Sequence, residues 1–384
     1  MGETDTDIPA AAARLVSAAV AQGIATTAVL AVGRGARTHG VRILGETRTG
    51  PEAVPVTADT LFDLASLTKV VATTPAMLRL WDAGELDLDD PVSRYLPAYA
   101  DGAKAAVTLR HLLTHSSGLP AHKPFHRLPG SPATRLAAAA EEPLEAAPGT
   151  RVVYSDIGFI LLGAVVAEVT GTGLQQAARD LVFTPLGMND TGYLPSPDRA
   201  FAATEADPDT GEPISGRVHD ENAHALGGVA GHAGLFSTVG DLVRYLGAAW
   251  LPGPGEAAPF LSARSRAAAT ACQTDGLDGR RGLGWTLGGD RWDHMTAAWP
   301  HTRAGHTGFT GTSLAFDPAG GLWTVLLTNA VFHGRAHAGI ALLRRTAHAA
   351  VAAWAEAVGD PDLPEGRPCR AAAGYDRDVR IQGD

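Results

Sequence analysis

Residues 60–83 read TLFDLASLTKVVATTPAMLRLWDA, and this stretch decides the fold. Val70, Val71, Met77, Leu78, Leu80 and Trp81 are apolar with little polar interruption, which specifies a helix buried over most of its surface. Pro75 lies inside it, where the missing N–H and the ring predict a kink, and Gly84 ends it. Ser66 and Lys69 stand near its start. Positions i and i+3 share a helical face, so the amine falls beside the hydroxyl. A serine hydroxyl is a weak nucleophile that needs an adjacent base, and a desolvated lysine of lowered pKa can serve. The helix N-terminus adds partial positive charge and free N–H groups where an oxyanion would form. The ordinary alternative is a capping serine followed by a solvated lysine. Two details count against it. The flanks are apolar, and only three of the 31 cationic residues are lysine: Lys69, Lys104 and Lys123. The others are arginine, which does not lose its proton, so a lysine here marks a place where deprotonation matters.

Outward from this segment, 27–32 and 40–46 are strand-like and joined by a Gly-rich turn, a hairpin pattern. Leu15, Val16, Ala19 and Val20 before it fall at amphipathic helix spacing. From 86 to about 240, helical segments alternate with Pro- and Gly-rich connections, and 157–169 is a strongly apolar helix. Residues 185–234, rich in Gly, Pro, Asp and His, read as functional loops. Strand character returns at 283–287, 304–316 and 322–329, as in a meander. A last helix at 334–358 carries Ile340, Leu343, Ala347, Val351 and Trp354 on one side. Strands at both ends with helices between them predict an α+β fold, an antiparallel sheet flanked by the first and last helices with a mainly helical part inserted. The expected division of 1–384 is one catalytic unit. A sheet-plus-helix part covers about 1–70 and 270–358, a mainly helical part about 71–269, and a polar tail 359–384.

Composition narrows the function. The net charge of -10 comes without any cluster of Lys and Arg, which argues against nucleic acid as a partner. The first 25 residues open with acids and lack the unbroken apolar run of a secretory signal. No window approaches the ~18 apolar residues that cross a bilayer. A cytoplasmic protein with no membrane partner is expected, with Cys272 and Cys369 as free thiols. No cofactor or metal is expected: H-E-x-x-H is absent, and His219 and His224 are five apart, off a common helical face. Asp87, Asp89 and Asp90 lack the Gly and terminal Glu of a calcium loop and read as a capped turn. The G-x-S-x-G elbow, G-x-G-x-x-G and the P-loop are absent too.

Two further motifs bear on Ser66. Tyr154-Ser155-Asp156 precedes the apolar helix, and a tyrosine hydroxyl near the Ser–Lys pair could relay a proton. His306-Thr307-Gly308 lies in the 304–316 strand. There Gly308 would let substrate approach the backbone, and the Phe309 N–H could join that of Ser66 as an oxyanion donor. Either motif alone is weak.

In order, the three motifs resemble the serine β-lactamase and penicillin-binding-protein superfamily, in its class C β-lactamase-like branch of lactamases, esterases and D,D-peptidases. The similarity runs through FDLASLTK (62–69), GELDLDDPVSRYLP (84–97), VTLRHLLTHSSGLP (107–120), YSDIGFILLG (154–163), GGVAGHAGLFSTVGDL (227–242) and GHTGFTGTSLAFDP (305–318). It implies a β-lactamase/D,D-peptidase-like fold. It also implies Ser66 as the acylated nucleophile, Lys69 and Tyr154 sharing acid–base work, and the Ser66 and Phe309 N–H groups as oxyanion hole. Asp156, His306, Thr307 and Gly308 would then contact substrate. Which of Lys69 and Tyr154 takes the serine proton stays open.

Two departures from the lactamase pattern narrow the substrate. The third motif usually begins with Lys, whose charge holds a substrate carboxylate; His306 is mostly neutral near pH 7. The second motif usually ends in Asn, which donates to a substrate amide carbonyl; an ionised Asp156 only accepts. Its charge would instead hold Lys69 protonated and move base duty toward Tyr154. The expected activity is carboxylic ester hydrolysis of a small-molecule acyl substrate, with weak or no β-lactamase activity. The alternatives are a D,D-carboxypeptidase or β-lactamase, and an acyltransferase using the same acyl-enzyme. A non-catalytic scaffold is disfavoured by the joint presence of Ser66, Lys69 and Tyr154.

Overall fold

The hairpin forms as β1 (Thr27–Arg34) and β2 (Arg37–Gly45), each longer than the sequence indicates. The protein is represented by a computed structural model that describes residues 8–253, 258–336 and 339–358. Alternate residues of β1 serve two cores, because successive side chains leave a strand on opposite faces. Ala28, Leu30 and Val32 meet the first helix (Ala10–Ala21) and the last (Gly339–Val358), through Val16, Leu343 and Val351. Val29 and Ala31 join the larger core on the other side, with Leu67, Val70 and the helix Asp156–Thr170. A strand covered on both faces needs apolar residues at every position, which is why TAVLAV is unbroken.

Three short strands, β3 (Phe62–Asp63), β4 (Gly192–Tyr193) and β5 (Leu235–Ser237), make a small antiparallel sheet ordered β3-β5-β4. β6 (Thr286–Leu287), β7 (Ala304–Thr307), β8 (Ser313–Phe316) and β9 (Leu322–Thr328) complete the main sheet, antiparallel throughout and ordered β2-β1-β9-β8-β7-β6. The α+β architecture is therefore as expected, with β9 from near the end of the chain pairing against β1 from near its start. Among the described residues no single helix is long and apolar enough to cross a membrane. The expected tail at 359–384 and Cys369 lie outside the described residues; Cys272 is unbridged.

Several boundaries differ from expectation. The stretch 304–316 is two strands, because Gly311 takes φ +117° and the Gly308 N–H closes a turn on Thr312 O at 2.8 Å. The strand at 283–287 shrinks to Thr286–Leu287, since Gly284 adopts φ +77° in a turn just before it. The region 71–269 carries β4 and β5 besides its helices. Residues 60–83 are not one helix either. They begin as β3, make a 3-10 turn at Ala65–Leu67, widen into a π-helical turn at Lys69–Thr73, and become α-helical only at Thr74–Ala83. Pro75 thus sits in the first turn of the α-helical part, where its missing N–H is tolerated, and the irregularity falls on the turn before it.

Behind the sheet, His294 and His348 are buried 5.1 Å apart, edge to face. Burial, then the positive charge of Arg344, pushes His294 down to about 3; burial likewise pushes His348 well below its ordinary value. Both are neutral when folded, whereas unfolding lets them take a proton below about pH 6.5. Their contribution to stability is complete above that pH and is lost as pH falls toward 3. Urea unfolding followed between pH 7 and 4.5 is expected to show a falling midpoint; a flat or rising one contradicts neutral burial.

Candidate active site

The approach to Ser66 is held by one carboxylate. Asp63, at the end of β3, is 3% exposed. Its Oδ1 accepts the Ala65 N–H at 2.8 Å and its Oδ2 the His219 N–H at 2.7 Å. Burial pushes the Asp63 carboxyl above its ordinary value, against the pull of those donors. Ala65 occupies φ +46°, a region costly for a residue with a Cβ, immediately before Ser66. The same turn is tied to the β7–β8 connection: Thr310 Oγ1 donates to Asp63 O at 2.7 Å, and Thr312 Oγ1 to Leu64 O at 3.2 Å. A Cβ on Gly308 would collide with Leu64 O and Thr312 Oγ1. Glycine is required there for close contact with the nucleophile's own turn, a different reason from the substrate approach read in the sequence.

Lys69 is fully buried. Its Nζ donates to Ser66 Oγ at 3.0 Å, Asp156 Oδ1 at 2.8 Å and His232 O at 3.1 Å. Burial alone would push the amine down, but the charge of Asp156 and the neighbouring Tyr154 outweigh it and hold Lys69 above its ordinary value. Burial would likewise raise Asp156; Lys69, His122 and His232 together hold it well below the carboxylate range. The pair is therefore ionic, with His122 Nδ1 3.5 Å from the second carboxylate oxygen. The Tyr154 ring centroid lies 5.0 Å from Nζ.

The second motif is placed by helix capping. Ser155 Oγ accepts the Gly158 N–H at 3.2 Å and donates to Pro120 O at 2.7 Å, so Asp156 opens the apolar helix. His115, at φ +58°, accepts the Ser155 N–H on Nδ1 at 3.0 Å and lies 4.6 Å from the Tyr154 ring. HLLTHSSGLP, quoted above only for its family likeness, is thus the support of Tyr154.

Ser66, Tyr154, His306, Thr307, Gly308 and Phe309 line one cleft of about 340 Å³. Lys69 and Asp156 do not line it. His306 is 2% exposed; its Nδ1–H donates to Thr307 O at 2.9 Å, leaving Nε2 as a buried acceptor without a partner. Burial, then the charges of Lys69 and Arg281, pushes it down to about 3, so the ring carries no charge. Three arginines absent from the sequence reading also line the cleft. Arg281 bonds Thr286 Oγ1 at 2.6 Å and Asp290 at 3.2 Å. Arg344 donates to Gly308 O and Thr312 O at 2.6 and 2.9 Å. Arg335 pairs with Glu205 and Glu221 at 2.6 and 2.5 Å. They come from three separate segments, so no local pattern marked them. Asp63 was visible in FDLAS only as one more acid. His219, weighed as a metal ligand, instead pairs with Glu205 at 2.8 Å, and the neighbouring Asp220 pairs with His232 at 3.0 Å. Among the described residues no group of three or more ligating side chains is placed to hold a metal.

Residues 12–348 match the Beta-lactamase family. The chain is 33% identical over 311 residues to a "Putative D-alanyl-D-alanine carboxypeptidase" of Escherichia coli (strain K12), covering 72% of this chain and 71% of that protein. Among solved structures, "EstCE1, a hydrolase with promiscuous acyltransferase activity" superimposes with a TM-score of 0.69 at 24% identity, over 88% of this chain and 97% of that one. "A class C beta-lactamase" gives a TM-score of 0.71 at 23% identity, over 89% and 95%. These two likenesses are of fold.

Asp63→Asn keeps the volume but turns one acceptor into an N–H donor facing a backbone N–H. It is expected to cost about 1–3 kcal/mol of unfolding free energy in urea titration. It should also lower kcat with little change in KM, since it displaces the nucleophile's turn and leaves the cleft wall in place. Wild-type stability and kcat in this variant would remove Asp63 from the support of Ser66.

Proposed function

The chain belongs to the beta-lactamase family, and on that premise we propose that this serine hydrolase cleaves carboxylic esters through an acyl-enzyme on Ser66. The observation that carries the ester reading is the state of the cations around the cleft. His306 is neutral, and Arg281, Arg335 and Arg344 are each engaged by acids, a hydroxyl or carbonyls of the chain itself. Among the described residues that line the cleft, a substrate carboxylate, as in a β-lactam or a D-alanyl peptide, meets no uncommitted positive charge. A neutral ester needs none.

The ion pair supports one division of the proton work. Lys69, held protonated by Asp156, donates to Ser66 Oγ and cannot take its proton in that state. Tyr154, in its deprotonated form, takes it as Oγ bonds to the ester carbonyl carbon. The carbonyl electron pair moves onto oxygen, where the N–H groups of Ser66 and Phe309 receive it. As the carbonyl re-forms, the C–O bond to the alcohol breaks and Tyr154 returns the proton to the departing oxygen. Water repeats the sequence on the acyl-serine and releases the acid. An alcohol in place of water would make the same enzyme an acyltransferase.

A second reading, D,D-carboxypeptidase, is favoured by the name of the Escherichia coli relative. The test is a side-by-side panel of p-nitrophenyl esters, a D-alanyl-D-alanine peptide and nitrocefin. Esters are expected to be turned over, with nitrocefin at least about 100-fold slower in kcat/KM. Ser66→Ala is expected to abolish ester turnover while circular dichroism stays unchanged; wild-type turnover in that variant sinks the site. His306→Lys is expected to lower KM for nitrocefin. Efficient peptide or nitrocefin turnover by the parent enzyme would decide for the second reading.

A further inference from the structure

Trp292 and Phe309 are the two aromatic residues among the large apolar side chains left exposed in the described chain, at 60% and 55%. A single exposed apolar residue is unremarkable on a protein surface. Here both line the cleft that holds Ser66, and Val331, Ala330 and Ile340 line it as well. Rings of this size each offer about 150–250 Å² of surface to a ligand.

Neither ring is loosely placed. The Phe309 ring stacks on His219 with centroids 5.7 Å apart and an interplanar angle of 25°, and the Arg335 guanidinium lies 6.0 Å from its centroid. His219 and Arg335 both bond Glu205, at 2.8 and 2.6 Å, so one carboxylate fixes the two groups that hold the ring. The backbone that carries Trp292 is fixed by its main-chain N–H, which donates to Asp290 Oδ1 at 2.8 Å, the carboxylate that also engages Arg281. With the guanidinium groups of this wall committed elsewhere, what it offers a ligand is apolar contact.

We propose that Trp292, Phe309, Val331 and Ile340 form a subsite for an apolar chain or ring carried by the ester. The preferred substrates are then medium-chain or aryl esters, not acetates. This rests on the ester reading above. The cleft, at about 340 Å³, is at the small end of small-molecule pockets, which run from about 300 to 1,000 Å³. It suits a chain of several carbons and not a large polar conjugate.

The experiment measures kcat/KM for p-nitrophenyl acetate, hexanoate and octanoate with the wild-type enzyme, Trp292→Ala and Ile340→Asn. The octanoate-to-acetate ratio is expected to exceed about tenfold in the wild type, a gain in the range one or two apolar contacts give. It should fall at least about threefold in each variant. An unchanged ratio in both variants overturns the subsite, whereas failure of the ester reading shows as no turnover of any ester. In that event, labelling of Ser66 by ethyl and octyl fluorophosphonates reads the subsite directly. Faster labelling by the octyl probe that is lost in Trp292→Ala sustains the proposal, and equal labelling overturns it.

Discussion

A fully buried ammonium must be neutralised where it stands, because moving an unpaired charge out of water costs several kcal/mol, a large part of the stability of a domain. Asp156 meets that constraint for Lys69, and much of the centre of the protein is arranged around the meeting. The two residues come from different helices, so the ion pair fixes the start of Asp156–Thr170 against the π-helical turn of Lys69–Thr73. The segment before β5 completes the arrangement. His232 O takes a third Lys69 hydrogen bond, Thr73 Oγ1 donates to Gly231 O at 2.7 Å, and the Leu235 N–H reaches Thr68 Oγ1 at 3.2 Å. Replacing either charge would strand the other in a low-dielectric interior.

From this follows the division of labour at Ser66. An amine beside a carboxylate stays protonated and positions the hydroxyl, which is why the proposed base is the tyrosine next to it. The strain at Ala65 belongs to the same design. An unfavourable backbone region persists only where its surroundings over-determine it. Here the Asp63 carboxylate, the two threonine hydroxyls of the β7–β8 turn and the absent side chain of Gly308 do so together. Both expected oxyanion donors thereby sit on segments stitched to each other.

The cleft is shaped by different means. Arg344, from the last helix, ties down Gly308 and Thr312 from behind. Glu205, from the 185–234 stretch, joins His219 to Arg335 across the face of Phe309. The 185–234 stretch thus supports the cleft wall from behind, whereas Trp292, in the connection between β6 and β7, lines the cleft itself.

The sequence by itself determined the pieces whose signal is local. The unbroken apolar run of β1, the hairpin, the helix opened by Ser155 and the i, i+3 spacing of Ser66 and Lys69 all follow from neighbours within a few residues. The three motifs and their resemblance carried the fold class further than periodicity could. Tertiary structure alone decided the rest. Gly308 and Gly311 split a reading of one strand into two because of a turn that closes on Thr312. Pro75 left no kink in mid-helix because the irregularity fell on the preceding turn. Asp63, His115, Arg335 and Arg344 acquired roles only when residues 36 to 247 positions away came within hydrogen-bond reach. Local chemistry points to a candidate nucleophile; which charges around it are already engaged, the basis of the substrate proposal, depends on contacts that no local pattern encodes.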